Sequence, residues 1–314
     1  MRWPGRNDRP FLQLEIGAND DADYDRLQAA LAEIIGLDPS LRTTRRPQRR
    51  LFILQGREKA DFQWVCDRLR DTYQLPVNVG LLDAVFLESI CKRAEGEGKY
   101  IRQTGGKGNY GHCKLRIEPS ETGDGYEFVN DIRDGAVPNQ YIKPIEEGVL
   151  AAMEMGILSG FPVVDVKVTL YGGSYHEADS NEMAFKLAGA TAFKEAGRNA
   201  SPVLLEPMMA VVIEVPEQLA PATQRQINAL RGRIGNKLSK GGLIQLTAIV
   251  PLSELLASGA GRFAKRPMEF AGYEPVLNQG PSDENGSSVI ANKPNGPQPG
   301  NRSAAARHPA EDEE

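Results

Sequence analysis

Long apolar runs, paired cysteines and the apolar pattern of a secretory signal are all missing from this 314-residue sequence. No stretch approaches the roughly 18 apolar residues that a bilayer-spanning helix needs. The first ten residues, MRWPGRNDRP, carry charges without an apolar centre and so are not a secretory signal. The three cysteines, Cys66, Cys91 and Cys113, are widely spaced, as is typical of a reduced protein without disulfides. We therefore expect a cytoplasmic protein without a membrane partner.

An excess of basic residues is missing as well. The chain has 42 acidic and 37 basic residues, which leaves a formal net charge of -5 at pH 7. A globally basic nucleic-acid binder is therefore not expected, although a local basic surface stays open because contact depends on where the charge lies. Hydrophobic residues at 40% and charged residues at 25% are typical of globular proteins. Together with the length, they predict two or three domains.

The sequence also lacks the motifs of nucleotide, metal and nucleophile chemistry. A P-loop needs a lysine followed by serine or threonine, whereas Lys107 in the glycine-rich stretch 104–111 is followed by Gly108. No histidine or cysteine has the spacing of zinc ligands, and Ser174 lacks the pattern of a nucleophile elbow. Glu206, beside a proline, is interpreted as structural. We therefore expect no catalytic residue, no cofactor and no metal.

Apolar periodicity predicts an α+β chain with three folded units and a disordered tail. Residues 10–82 and residues 203–275 each show the order strand–helix–strand–helix–strand, which is typical of a split βαβ, ferredoxin-like sandwich. A larger unit over residues 83–202 lies between them. Residues 276–314 are rich in Gly, Pro, Ser and Asn, have almost no apolar residues and end in acidic ones, which predicts disorder.

In the larger middle unit, alternation predicts two strands, at residues 112–117 and 163–170. A helix is expected between them, opened by Pro144 and closed by Gly156. A second helix is predicted over residues 180–196, with Asp179 in a capping-box position and Gly197 as its stop.

Two glycine-containing loops of this unit are the candidates for function. Residues 105–109 read GGKGN, and their backbone can approach an RNA backbone closely while Lys107 lies near a phosphate. An ordinary flexible hairpin remains the alternative. Residues 172–180 read GGSYHEADS, where Tyr175 and His176 are expected to be exposed.

Six short stretches in and after the middle unit follow one another in a recognisable order. They are TGGKGNYGH at 104–112, GYEFVN at 125–130, GFPVVD at 160–165, GSYHEADSNE at 173–182, AFK at 184–186 and PVLLEP at 202–207. With these motifs in this order, the sequence resembles the C-terminal half of bacterial elongation factor G, the translocation GTPase, over roughly residues 9–273.

This resemblance implies that the three units correspond to the family's third, fourth and fifth domains. The implied folds are ferredoxin-like, then like the second domain of ribosomal protein S5, then ferredoxin-like again. In the family, tip loops of the fourth domain enter the decoding region of the small ribosomal subunit, beside the transfer RNA and messenger RNA of the A site. The tip loops implied here, which we expect to bind ribosomal RNA, consist of Gly105, Gly106, Lys107, Gly108 and Asn109, and of Ser174, Tyr175, His176, Glu177 and Asp179.

The sequence departs from the family pattern in two places. The family's first two domains, which include its GTPase, have no counterpart, so we expect no GTP hydrolysis by this chain. In the first unit, the family's run Gly-Met-Gly-Glu-Leu-His-Leu-Glu aligns with GREKADFQ at residues 56–63, where only the first glycine is kept.

The favoured hypothesis is a ribosome-binding translation factor module that acts without nucleotide chemistry. One alternative is the C-terminal half of a split elongation factor G, working with a separate GTPase chain docked on the first unit. A ribosomal protection protein of the tetracycline-resistance type and a decayed gene product are the other two. The changed run at residues 56–63 makes the split factor less favoured. The retained motifs of the middle unit make a decayed gene product less favoured.

Overall fold

The computed structural model describes residues 4–102, 108–133, 135–259 and 268–276. Of the predicted tip-loop residues, Gly105, Gly106 and Lys107 lie outside the described residues, and so does the predicted tail from residue 277 onward.

The first unit is a four-stranded antiparallel sheet with two helices. Its strand order is β2-β3-β1-β4, and the element order βαββαβ is that of a ferredoxin-like sandwich. Leu14, Ile16, Phe52 and Leu54 alternate with polar or half-exposed neighbours and are buried under the helices. The elements are β1 (Leu12–Gly17), α1 (Asp21–Leu37), β2 (Arg42–Arg46), β3 (Leu51–Gly56), α2 (Lys59–Asp71) and β4 (Asn78–Ala84).

The middle unit packs two helices on a second four-stranded sheet, of order β6-β7-β9-β8. Strands β8 and β9 are parallel, and α3 lies between them in the sequence, as a crossover connection requires. The elements are β5 (Leu87–Ile90), β6 (Ala94–Arg102), β7 (Asn109–Pro119), β8 (Tyr126–Asn130), α3 (Ile142–Met155), β9 (Val166–Ser174) and α4 (Glu182–Asn199).

The alternation predicted for this sheet is confirmed. Cys113, Leu115 and Ile117 of β7 are fully buried, and so are the apolar residues of β9. Glycines let the sheet approach α4 closely. A Cβ on Gly98 of β6 would clash with the carbonyl oxygen of Ala188 and lie 2.7 Å from the nitrogen of Ala192, so no larger residue fits there.

Three local predictions in this unit are wrong. Strand β9 does not end at Leu170 but continues to Ser174, because the chain around Gly172 and Gly173 stays paired with β7. Helix α4 begins at Glu182, since the side chain of Asn181, not that of Asp179, accepts the amide of Ala184 at 2.9 Å. The helix also continues past the predicted stop at Gly197 to Asn199.

The third unit repeats the βαββαβ order, with the strand order β11-β12-β10-β13. Its elements are β10 (Pro202–Pro216), α5 (Ala220–Ala229), β11 (Arg233–Lys240), β12 (Leu243–Pro251), α6 (Leu252–Ser258) and β13 (Glu269–Pro275). Helix α5 ends at Ala229, and Arg231, with a φ of 56°, lies in a left-handed conformation outside it. Its guanidinium donates to both carboxylate oxygens of Glu206, at 2.6 and 2.8 Å, so Glu206 has a structural role.

A strand pairing, a shared apolar core and a buried tyrosine join the three units at the base of the middle unit. Strand β5 pairs with the start of β10, so the chain enters and leaves the middle unit side by side. The first and third units share one apolar core, in which the rings of Phe11 and Phe270 stack at 4.6 Å. The Tyr273 hydroxyl group lies within hydrogen-bond distance of the carbonyl oxygens of Pro10 and Val85, at 3.2 and 3.0 Å.

The side chain of Glu88 in β5 fixes the base of the middle unit. It is fully buried, and its carboxylate accepts four backbone amides from the loop after α3, at 2.5 to 3.1 Å. Such a cradle gives both oxygens of a fully buried carboxylate hydrogen-bond partners that it would otherwise lack away from water. The four donors are Ile157, Leu158, Ser159 and Phe161.

Candidate functional site

At the end of the middle unit away from Glu88, the structure brings the described end of the first predicted tip loop, Gly108 and Asn109, against the second loop. The amide of Gly108 donates to the Asp179 carboxylate at 2.9 Å, and the amide of Tyr110 donates to the Asp179 carbonyl oxygen at 2.8 Å. Asp179 therefore holds the end of the first loop against the second.

Gly108 is constrained at this contact. A Cβ there would lie 2.9 Å from the carboxylate carbon of Asp179, so a side chain would displace the aspartate. The next residue, Asn109, accepts a hydrogen bond from the amide group of Asn181 at 2.7 Å, and Asn181 caps helix α4. The first loop is thereby tied both to the second loop and to the helix that follows it.

The second loop is closed by its own hydrogen bonds. The amide of His176 donates to the hydroxyl of Ser180 at 2.9 Å, and the amide of Ser180 donates to the carbonyl oxygen of His176 at 3.0 Å. Ser180 is buried, whereas the apex, Tyr175, His176 and Glu177, is exposed. The apex presents two rings and a carboxylate to solvent on a closed turn.

Ser174 differs from the other predicted residues of the second loop. It lies in β9, is half-buried, and its hydroxyl is 2.7 Å from both the Tyr110 hydroxyl and Nδ1 of His112. The Nε2 atom of His112 is 2.8 Å from Glu97, and this hydrogen bond lowers the pKa of the Glu97 carboxyl group. Ser174 thus belongs to a polar network beneath the apex.

An open cleft of about 210 Å³ lies between the two loops. The edge of the His176 ring meets the Tyr110 ring, with the centroids 5.1 Å apart and the planes at 63°. An exposed imidazole held in this way is available for stacking or hydrogen bonding. The cleft is lined by Ile101, Gly108, Asn109, Tyr110, His176 and Asp179.

Apart from Asp179, the residues that hold the loops were not predicted from the sequence. Tyr110, His112 and Asn181 all make side-chain contacts within the site, yet only the exposed loops were singled out. The alternation of residues 112–117 carried one usable signal, because it put His112 on the sheet face opposite the core. The partners of His112 depend on strand pairing, which the pattern does not specify.

Within the described part of the chain, no three His, Cys, Asp or Glu residues are grouped closely enough to hold a metal ion. Burial raises the pKa of the Cys113 thiol to about 12, so this cysteine is not a nucleophile. Among the helices that the structure describes, none has the length and apolar character needed to cross a bilayer.

Comparisons with known proteins identify the family. Three family models match in succession: "Elongation Factor G, domain III" over residues 8–81, "Elongation factor G, domain IV" over residues 85–201, and "Elongation factor G C-terminus" over residues 203–281. None of the three describes a GTPase domain.

A solved crystal structure from Thermus thermophilus is similar to this chain, with 34% sequence identity and a TM-score of 0.61. The match covers 88% of this chain and 42% of that one, so the chain spans less than half of the relative. From the three matches and this similarity we conclude that the chain belongs to the elongation factor G family, of which it carries domain III, domain IV and the C-terminal domain.

Proposed function

We propose that this chain is a ribosome-binding translation factor module. Its tip loops enter the decoding region of the small subunit, beside the transfer RNA and messenger RNA in the A site, and it uses no GTP chemistry of its own. The single observation that carries the proposal is the joint at Asp179, which holds Gly108 and the second loop together and leaves the apex exposed.

The chemistry of the apex suits unpaired RNA. Tyr175 and His176 offer rings that stack on splayed-out bases, and the histidine also offers nitrogen atoms for hydrogen bonds. The exposed rings lie on a turn that is already closed, so binding costs little additional ordering of the protein. These features support contact with RNA strands in a confined groove.

The main alternative is a split factor that works with a separate GTPase chain. The departure at residues 56–63 favours the autonomous module. These residues start α2, where Glu58 and Asp61 form a reciprocal capping box, and the amide of Glu58 donates to Asp61 at 3.0 Å. The run therefore serves local helix formation in place of the family's motif.

Co-sedimentation of the purified chain with 70S ribosomes tests the proposal. The variant Tyr175→Ala with His176→Ala should bind at least about tenfold more weakly, because two stacking groups are lost. The variant Lys107→Ala with His176→Ala, which removes the cation expected near phosphate, should also bind more weakly, and its binding should depend less on salt than that of the wild type. Met155→Ala with Arg198→Ala is the matched control, since both side chains are exposed at the base of the same unit.

The outcomes separate the hypotheses. If the tip variants and the control lose ribosome binding equally, or if none of them loses it, the tip-loop proposal is contradicted. Binding that appears only after lysate is added, with a GTPase in the pellet, would favour the split factor. Binding that does not change with salt would indicate protein contacts in place of phosphate contacts.

A further inference from the structure

A second basic surface lies on the first unit, far along the sequence from the tip loops. Residues 42–50 read RTTRRPQRR and contain five arginines in nine residues, in a chain whose net charge is -5. We call this segment the arginine hairpin. It consists of β2, a short helical turn and the residue before β3, and all five of its arginines are exposed: Arg42, Arg45, Arg46, Arg49 and Arg50.

The pairing of these arginines shows which charges are available. Arg45 donates to the side chain of Gln28 at 2.7 Å, and Arg50 pairs with Asp21 at 2.5 Å. Within the described residues, Arg42, Arg46 and Arg49 form no ion pair. No acidic residue occurs anywhere between Asp38 and Glu58, so the segment itself offers them none.

The fold places these arginines along one edge of the first unit's sheet. Strand β2 is at the edge of the sheet, and Arg42, Thr44 and Arg46 alternate onto the face opposite that of Arg45, which reaches helix α1. At about 3.3 Å per residue, Arg42 and Arg46 are about 13 Å apart along the strand. Arg49 follows in the short helical turn after β2, so three exposed arginines succeed one another along this edge of the chain.

We propose that the arginine hairpin binds the phosphate backbone of structured RNA. Guanidinium groups match phosphate oxygens in pairs, which a lysine ammonium does not. The hairpin has no aromatic side chain on which a base would stack, so we infer recognition of the backbone without preference for sequence. This goes beyond the function proposed above, because it assigns an RNA contact to a different unit that does not depend on the tip loops.

Another reason for charges at a sheet edge is protection against pairing with a second chain. One or two charges, or the proline at position 47, achieve that protection. Five arginines, of which only Arg50 has an acidic partner among the described residues, exceed that need and resemble the clustered charge of a nucleic-acid surface. The two roles predict different results for the same variant.

Fluorescence anisotropy with a labelled RNA stem-loop tests the proposal on the full chain. The variant Arg42→Gln, Arg46→Gln, Arg49→Gln removes three charges from exposed positions. Three lost phosphate contacts should lower the slope of log affinity against log salt by about 2 to 3. The wild type should therefore lose about 16- to 64-fold more affinity than the variant between about 50 and 200 mM salt.

The matched control is Lys92→Gln, Arg225→Gln, Lys237→Gln, which removes the same charge from exposed sites elsewhere. It should weaken binding less than about threefold at the lower salt concentration, because no phosphate contact is lost. Replacing the three hairpin arginines by lysine should keep most of the salt dependence, since lysine keeps the charge. The tip variant Tyr175→Ala with His176→Ala should bind the stem-loop like the wild type, which separates this proposal from the preceding one.

Three results would overturn the proposal. Equal losses in the hairpin variant and the control would show a general effect of charge. If the hairpin variant loses binding to polyglutamate but binds RNA as the wild type does, the arginine hairpin is a site for acidic peptides. New self-association on a sizing column with unchanged RNA affinity would assign it to edge protection.

Discussion

Two carboxylates accept backbone amides at opposite ends of the middle unit, in different surroundings. Glu88 at the base is fully buried and accepts four amides, whereas Asp179 at the tip is half-buried and its carboxylate accepts the amide of Gly108. Replacing a buried carboxylate that makes all its hydrogen bonds costs much folding stability. Replacing a carboxylate that water can reach costs less. We therefore expect Glu88 to contribute mainly to the stability of the fold, and Asp179 mainly to the position of the exposed tip loops.

The largest effect on stability is expected at the base. Glu88→Gln keeps the shape of the side chain but turns an NH2 group toward two of the four backbone donors, so these two amides lose their acceptor inside a buried site. We expect the free energy of unfolding to fall by about 2–4 kcal/mol in urea denaturation. Glu147→Gln, at a half-exposed position paired with Lys186, is the control and should change it by less than about 1 kcal/mol. If Glu88→Gln and Glu147→Gln lower the free energy of unfolding by similar amounts, the cradle around Glu88 is not a special source of stability.

The next largest effect is expected between the two ends, where sheet and helix approach closely. Gly98→Ala places a methyl group against the backbone of α4 at Ala188 and should cost about 1–3 kcal/mol. Gly36→Ala in α1 is the control, because nothing lies within 4 Å of its added Cβ, and it should stabilise by up to about 1 kcal/mol. Thermal unfolding of both variants measures the difference. A neutral Gly98→Ala would mean that α4 moves freely on its sheet.

A smaller effect on stability is expected at the tip joint. Asp179→Ala removes the acceptor of the Gly108 amide, which water then reaches because the site is half-exposed. The cost should be about 1 kcal/mol, while ribosome binding should fall severalfold as the two loops separate. Denaturation and co-sedimentation of the same preparation check both values. A loss as large as that of Glu88→Gln would show that the tip, too, is structural.

The smallest effect on stability is expected at the apex. Tyr175→Ala and His176→Ala should each change the free energy of unfolding by no more than about 0.5 kcal/mol, because both side chains are exposed. We expect the same two variants to lose more ribosome binding than any of the other variants, so stability and binding depend on opposite ends of the unit. A large drop in melting temperature would instead assign the rings to folding.

The sequence predicted apolar strands well and polar edge strands poorly. The buried face of β7 followed from alternation alone, since Cys113, Leu115 and Ile117 all face the core. Strands β2 and β11 were missed, because both lie at sheet edges and consist mainly of exposed polar residues. Without a buried face there is no apolar period to detect, and their pairing depends on a partner elsewhere in the chain.

For the candidate site, the sequence pointed to two loops but did not predict how they are held. The exposure of Tyr175 and His176 agrees with the expectation from loop composition. The role of Asp179 was misjudged, because a local rule assigned it to the start of α4 while its carboxylate binds Gly108 across the tip. The roles of the tip-loop residues in RNA binding, including Gly105, Gly106 and Lys107, stay predictions.

By itself the sequence determined the α+β class, the buried faces, the glycine-rich loops and the arginine run, because each depends on neighbours a few residues apart. Only the tertiary structure decided the contact between Gly108 and Asp179 and the cradle around Glu88. These contacts join residues about 70 positions apart. Such pairings are set by strand register and helix packing over the whole unit, and no local pattern of residues encodes them.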